Sequence, residues 1–393
     1  MSSRGSLIRL LPATFAIQAG FHGFTAALPV ALISAGYGEG QIGVIVGTAF
    51  VVQMVAAPVV GALLDRVGPQ RMLFAGIVAY LAATALMAVL PLDPAQVLGW
   101  MGARSFQGLG NAIVIPAVLT LVPLLVGAGG RGMWLAVVLL AQNMTLAVFP
   151  AASLLILEQG SFQAVAISVA ATIVLGALLS RRLPSPPRPP AASDADASPD
   201  APRRHPFRVA YRAAWTSPLV ITLLAVVYWG VIFAYLPPRA ELAGTSSALF
   251  FIGYGVAVIV SRVATGWLAD RYQPRLLVGI GLVLSSAGIV LLVLPPTPLT
   301  LVGAGMLGGV SAGFVLSPIL LELSYRSGEA DRGSAFALFS VIAGGSNAIG
   351  SIGAAPIIES LGFEAAMLAG LVGVGAAFVL TVLDRSLGRR DLD

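Results

Sequence analysis

The chain has 393 residues, of which 58% are hydrophobic and only 10% charged, with a formal charge of +5 and no cysteine. A soluble protein carries about a quarter charged residues, so a string of soluble domains is excluded, and the missing thiols exclude disulfides, cysteine catalysis and Cys-ligated metals. Every basic residue is Arg, but no basic face interleaved with aromatics forms, so the positive charge does not point to nucleic acid.

Apolar runs long enough to cross a ~30 Å hydrocarbon core recur along the sequence. They predict an all-α membrane protein of twelve transmembrane helices. In the first half these run over about 10–34, 41–64, 71–91, 97–122, 132–157 and 163–181, and in the second over about 218–238, 246–269, 275–295, 299–322, 333–357 and 363–383. Arg4 and Arg9 precede the first run and no small-residue cleavage pattern follows it, so it reads as a retained span. Under this assignment every Arg except Arg104, Arg239 and Arg262 falls in the two termini or in the loops on their side. The positive-inside rule then places both termini in the cytoplasm, in a multi-pass protein of the inner (cell) membrane.

Residues 182–217 separate the halves. Rich in Pro, Ala, Asp and Arg, without apolar periodicity, they read as a flexible cytoplasmic linker that can touch anionic lipid headgroups, with His205 a solvated loop residue. The predicted organisation is a six-helix bundle over 1–181, the linker 182–217, and a second six-helix bundle over 218–393. The halves repeat each other at a nearly constant offset: Asp65-Arg66 matches Asp270-Arg271, Pro116 matches Pro318, and Arg131-Gly132 matches Arg332-Gly333. Pro150 and Pro356, and Gly160 and Gly362, continue the series. Two parallel six-span repeats joined by a linker are an architecture of secondary transporters.

Three motifs give the resemblance a name. The loop after the second span carries Gly61, Leu63, Asp65, Arg66 and Gly68, with Pro69 and Gln70 in place of a basic pair and Arg71 following. A worn second copy carries Gly266, Leu268, Asp270, Arg271 and Arg275, with Gln273 where a glycine is expected. The fourth span reads ARSFQGLGNAIVIPA, an R-x-x-Q-G-x-G pattern through Arg104, Gln107, Gly108 and Gly110. Over essentially its whole length the chain resembles the major facilitator superfamily, and is similar to its bacterial twelve-span sugar, metabolite and drug permeases. The resemblance implies rocker-switch alternating access around a central cavity. It also implies a latch at the loop motifs made by Gly61, Asp65, Arg66, Gly68, Gly266, Asp270 and Arg271, resting mainly on the better-preserved Asp65. Independently, glycines at 61 and 266 permit close backbone approach, and a carboxylate at a helix end can meet a neighbouring helix N-terminus or an Arg. The alternative is that Asp-Arg only marks a membrane boundary.

Polar residues inside spans are costly and therefore informative. Thr14, Gln18, His22 and Thr25 share one face of a helical first span, as do Arg104, Gln107 and Asn111 in the fourth. The fifth span adds Gln142, Asn143 and Thr145, and the eleventh Ser340, Asn347 and Ser351 beside Gly344. Two readings stay open for the amides: lining a substrate cavity, or hydrogen-bonding helix to helix. No carboxylate falls in the middle of a span, so Arg104 must find a backbone carbonyl, Gln107, water or an anionic solute, and in this family such an Arg is often tied to proton coupling. Arg262 reads as snorkelling toward the membrane surface, and His22 as a packing residue or a binding or proton-sensing one. Arg104, His22 and Arg262 are the candidate coupling residues.

The expected function is a secondary active transporter for a small solute, ion- or proton-coupled, with a positive cavity favouring anionic or neutral polar solutes. The alternatives are a proton-coupled multidrug or metabolite exporter, which the loss of the glycines flanking Pro150 disfavours, and a non-transporting membrane sensor on the same fold. A chain without Lys has no Walker lysine, and nothing resembles a nucleophile–base pair or a metal cluster. The expectation is thus not an enzyme, with no cofactor and no metal. The expected partners are a small solute, membrane lipid and protons, with no nucleic acid, in a monomer.

Overall fold

The computed structural model describes residues 3–126, 131–181, 211–269, 271–327, 331–384 and Leu387, and among these it is entirely helical. In chain order the helices are α1 (Ser3–Ile17), α2 (Ala19–His22), α3 (Ala27–Ser34), α4 (Glu39–Val67), α5 (Pro69–Val89), α6 (Val97–Val126) and α7 (Arg131–Gln159). There follow α8 (Phe162–Ser180), α9 (Thr216–Leu242), α10 (Ala248–Ala269), α11 (Pro274–Val293), α12 (Pro298–Arg326), α13 (Arg332–Gly353) and α14 (Ala355–Leu383). They make 12 segments long and apolar enough to cross a membrane. Residues 182–210 of the linker, Asp270 and the side chain of Asp65 lie outside the described residues.

Turn chemistry sets the boundaries. Gly68 ends α4 with φ +91°, which favours glycine because a side chain is crowded there, and Pro69 starts α5 at once. In the second repeat Gln273 caps α11 with φ −65°, a conformation open to any residue. The glycine is therefore absent where its special backbone geometry is not used. Two corrections concern the ends of the halves. The first span, expected as one helix, is broken into α1, α2 and α3. The eleventh span, expected to run to 357, breaks at Ala354, although Gly362, with φ +86°, still marks the turn into the twelfth.

Each set of six spans packs chiefly on itself: α4, α5 and α6 adjoin one another and α1 lies on α8, while α10, α11 and α12 adjoin and α9 lies on α13 and α14. Across the sets the main contacts are α4 with α13 and α7 with α10. The face bearing the first and last helix ends is here termed the terminal face, and the other the far face. Toward the far face, α4 and α13 nearly touch. A Cβ added at Gly43 would sit 2.0 Å from Tyr235 Oη and 2.4 Å from the Ser351 carbonyl, and one at Gly47 would sit 2.4 Å from Ile352. Tyr235 donates to that carbonyl at 2.7 Å.

Toward the terminal face the contact is lost. Gly61 continues the α4 stripe of Gly43, Gly47, Phe50 and Met54, yet a Cβ there meets nothing within 4 Å. On α10, Gly255 abuts Ala147 at 2.0 Å whereas Gly266, three turns on, is equally free. In this conformation neither Gly61 nor Gly266 sits at a close backbone approach, the two sets of spans having parted before reaching them. The cysteine-free chain makes a direct check simple. Gly61→Cys in detergent-solubilised protein should react with a water-soluble maleimide at least about tenfold faster than the buried Thr48→Cys on the same helix. Equal rates would mean that the terminal face is closed.

Candidate functional site

The break in the first span creates the polar centre of the N-terminal half. Gln18 stands between α1 and α2, and residues 23–26 form turns before α3. Freed from the helical ladder, the carbonyls of Gly20 and Phe21 accept hydrogen bonds from Gln107 Nε2 at 2.8 and 3.0 Å. In hydrocarbon a stranded carbonyl costs several kcal/mol, so this side-chain amide supports two carbonyls of the interruption. The stripe of Thr14, Gln18, His22 and Thr25 drawn on a continuous helix is corrected accordingly, since the break lies between its members.

Arg104 is 4% exposed. It donates to the Val46 carbonyl at 2.8 Å and to Gln107 Oε1, and its guanidinium lies 5.9 Å from the centre of the Phe21 ring. It therefore ties α6 to α4 and to the first span, and among the described residues it forms no ion pair; its Nε is buried without a partner. The two glycines beside it have separate tasks. A Cβ at Gly108 would lie 2.2 Å from the Ala49 carbonyl, so that glycine lets α6 meet the α4 backbone. A Cβ at Gly110, or at Gly20 across from it, would lie 2.5 Å from the Tyr80 ring, which fills the slot between α6 and the first span.

Tyr80 completes a second network. Its hydroxyl is 3.0 Å from both Gln18 Oε1 and Asn111 Oδ1, and with one proton it donates to one of them at a time. Asn111 Nδ2 donates onward to Gln53 Oε1 at 3.0 Å. His22 Nδ1 lies 2.6 Å from Thr145 Oγ1, whose own proton goes to the Gln142 carbonyl. Nδ1 is thus the donor in this contact. Thr25 bonds weakly to the Phe21 carbonyl at 3.4 Å, and Asn143 Nδ2 donates to the Leu139 carbonyl one turn back. Gln142 is buried with Nε2 unpartnered.

The C-terminal half is built differently. Where α6 carries Arg104, α12 carries Gly305, Gly309 and Gly313, whose added Cβ atoms would lie 2.2–2.4 Å from Phe250, Tyr254 and Ser261 of α10. Behind this seam lies a cavity of about 190 Å³ bordered by Tyr228, Trp229, Phe233, Tyr254 and Asn347. Phe233 stacks on Phe50 across the two halves at 5.7 Å, and Phe50 meets Phe21 at 5.9 Å. Arg262 is half-buried with its Nε unpartnered.

The structure therefore brings Gln18, Arg104, Gln107 and Asn111 together, and sets His22, Gln142 and Thr145 beside them. It keeps Asn347 apart, in the other half. Of the loop-motif residues, Arg66 is exposed, Arg271 lies over Trp267 at 3.7 Å, and Gly68 forms its turn. At the far face an unforeseen contact joins the halves: Glu359 Oε1 accepts from Gly40 N at 2.9 Å, in the first turn of α4. Tyr80, Gln53, Trp229, Tyr254, Ser285 and Ser311 are further polar or aromatic members that the sequence reading passed over.

The sequence profile of the Major Facilitator Superfamily matches residues 10–276 and, in a second overlapping match, 239–391. The chain belongs to this superfamily. Solved structures agree in fold. The nucleoside transporter NupG superposes with a TM-score of 0.74 at 14% identity, covering 96% of this chain and 98% of its own. The peptide transporter POT in complex with alafosfalin superposes with a TM-score of 0.75 at 16% identity, covering 98% and 95%. Membership makes the protein a multi-pass secondary transporter rather than an enzyme.

The bracing role of Arg104 has a measurable consequence. Arg104→Ala strips Gln107 Oε1 and the Val46 carbonyl of a buried donor and should cost about 1–3 kcal/mol. Arg262→Ala, with no such acceptors, should cost less. Thermal melts in one detergent compare the two, and a larger loss at Arg262 would contradict the assignment.

Proposed function

We propose that the protein carries a small solute across the cytoplasmic membrane by rocking residues 1–181 against residues 218–393, with 182–217 as the cytoplasmic linker. The observation that carries this reading is the asymmetry of the interface: glycine-close helix contact at the far face and free motif glycines at the terminal face. With the Arg bias setting the termini in the cytoplasm, the conformer is open inward. Glu359 on the first turn of α4 holds the outer side shut, since a carboxylate at a helix N-terminus contributes about 0.3–1 kcal/mol at an exposed site. Asp65 and Asp270 hold the inner side in the opposite conformer, where Gly61 and Gly266 come into contact. The protein acts as a monomer.

Arg104 and Arg262 lie within spans and form no ion pair among the described residues. The resulting positive field opposes organic cations and favours anionic or neutral polar solutes. The two structural neighbours are named for transport of a nucleoside and a peptide, which fits a small polar organic cargo. Protons are the proposed coupling ion.

Counterflow in proteoliposomes, with and without an imposed pH gradient, tests the reading directly. Flux of lipophilic cations that Arg104→Ala leaves unchanged would sink the electrostatic part. Because Gln273 relieves the second loop of the glycine turn, Asp65→Asn should slow flux more than Asp270→Asn, and equal slowing would show that the two copies share the load.

A further inference from the structure

Most polar groups of the N-terminal half bond to one another, with Thr14 Oγ1, Arg104 Nε and Gln142 Nε2 left over, and beside the cavity of the C-terminal half an amide oxygen and a hydroxyl chain stand unspent among aromatic rings. Asn347 has its amide oriented by the Ala343 carbonyl, which accepts from Nδ2 at 3.0 Å. This turns Oδ1 the other way, and it is buried with no hydrogen-bond partner. Tyr228 Oη, Ser285 Oγ and Ser311 Oγ form a chain with links of 2.9 and 2.7 Å. Three hydroxyls joined by two bonds leave one O–H proton without an acceptor among the described residues. The residues bordering the cavity thus hold one unpaired acceptor and one unpaired donor just behind its surface, and burying either without a partner is costly.

Around these two groups the wall is aromatic and aliphatic. Trp229 and Tyr254 meet edge to face at 4.8 Å, and Trp229 lies 5.8 Å from Phe233. Among the described residues no charged side chain lines the cavity. A volume of about 190 Å³ is below the roughly 300–1,000 Å³ of drug-sized pockets, so a one- or two-ring solute fits. A free hexose would bury several hydroxyls against one donor and one acceptor. A carboxylate would find one hydroxyl proton and no cationic partner. An ammonium would gain from the rings but finds no carboxylate in the wall, and Arg262 stands two turns along α10 from Tyr254, on the same face.

Resting on the transporter reading above, we propose that this cavity is the recognition site for a neutral planar ring carrying one hydrogen-bond acceptor and one donor, such as a cyclic or aryl amide. The ring lies against Trp229, an N–H of the solute donates to Asn347 Oδ1, and a solute carbonyl accepts the spare proton of the hydroxyl chain. Of the anionic and neutral solutes that the overall field admits, the site selects the neutral ones.

Tryptophan fluorescence of the purified full-length protein reads occupancy beside Trp229, and counterflow in proteoliposomes reads transport. The probes are uracil and nicotinamide as neutral ring amides, benzoate as a ring anion, benzylammonium as a ring cation, and glucose as a non-planar neutral solute. Saturable quenching by the ring amides, weakened on the order of tenfold by Asn347→Ala and by Ser311→Ala, supports the proposal. Asn347→Asp, which keeps the shape, should lose the ring amides and gain benzylammonium, a change that misfolding does not produce. Absence of saturable quenching by both ring amides, tighter binding of benzoate or glucose, or quenching indifferent to Asn347 would overturn it. Counterflow of benzoate or glucose alone would keep the transporter and remove this cargo. Ring-amide binding lost in Asn347→Ala but without counterflow would keep the site and remove the transporter.

Discussion

A helix breaks inside hydrocarbon only where something else takes up its carbonyls, and here the Gln107 side chain does so. Its two bonds to Gly20 and Phe21 make the interruption of the first span affordable, and much of the N-terminal half follows from that interruption. Gln107 can serve two carbonyls because its own oxygen is held by Arg104, and Arg104 is held in turn by the Val46 carbonyl of α4. Gly108 and Gly110 are required in the same stretch because α6 must come close enough to α4 and Tyr80 for these bonds to form. The R-x-x-Q-G-x-G pattern is thus one device: a cation, an amide and two absent side chains that fasten a broken helix to its neighbours.

The two repeats have diverged in what they do with polarity. The N-terminal half uses its embedded cation and amides to connect spans, leaving few groups free. The C-terminal half replaces the cation with a glycine seam along α12 and keeps an amide oxygen and a hydroxyl chain unspent beside a set of rings. On the proposed site assignment, rigidity and recognition fall to opposite halves. A solute held mainly by one half can move with it, while the Phe50–Phe233 stack marks where the other half must part from it.

Much of the architecture was legible because it rests on length and composition. Twelve apolar runs, the repeat offsets and the Gly160 and Gly362 turns need no knowledge of neighbours. The loss of glycine at Gln273 even carried conformational information, since that backbone lies at φ −65° and not in the left-handed region. The polar stripe in the first span was read on a helix that is not continuous, because Gly20 and Gly23 alone do not mark a break where glycine is frequent in membrane helices and the supporting amide lies far away on α6. Tyr80 and Trp229 were passed over for a different reason. An aromatic residue in an apolar span has the same sequence appearance whether it faces lipid, core or cavity, and only tertiary placement separates these cases.

Gly61 and Gly266 show a further limit, one that belongs to the kind of molecule. If the protein alternates as proposed, its motifs encode contacts of both states, and one conformer displays half of them. Gly40, Gly43 and Gly47 are explained by what lies within 3 Å of them here, at the closed far face. Gly61 and Gly266, with open space around them, have no structural justification in this conformer, although they stand in the most family-like stretches of the chain. The same physical need, a bare backbone where two helices must touch, accounts for both sets once the touching is assigned to opposite faces at different times. Glu359 on α4 and the acidic residues of the loop motifs then answer each other. In the cycle proposed above each supplies a carboxylate for the face it closes, and because closing one face opens the other, the two closures compete. Alternation therefore requires neither set to be strong, only that they be near enough in free energy for a solute to tip the balance.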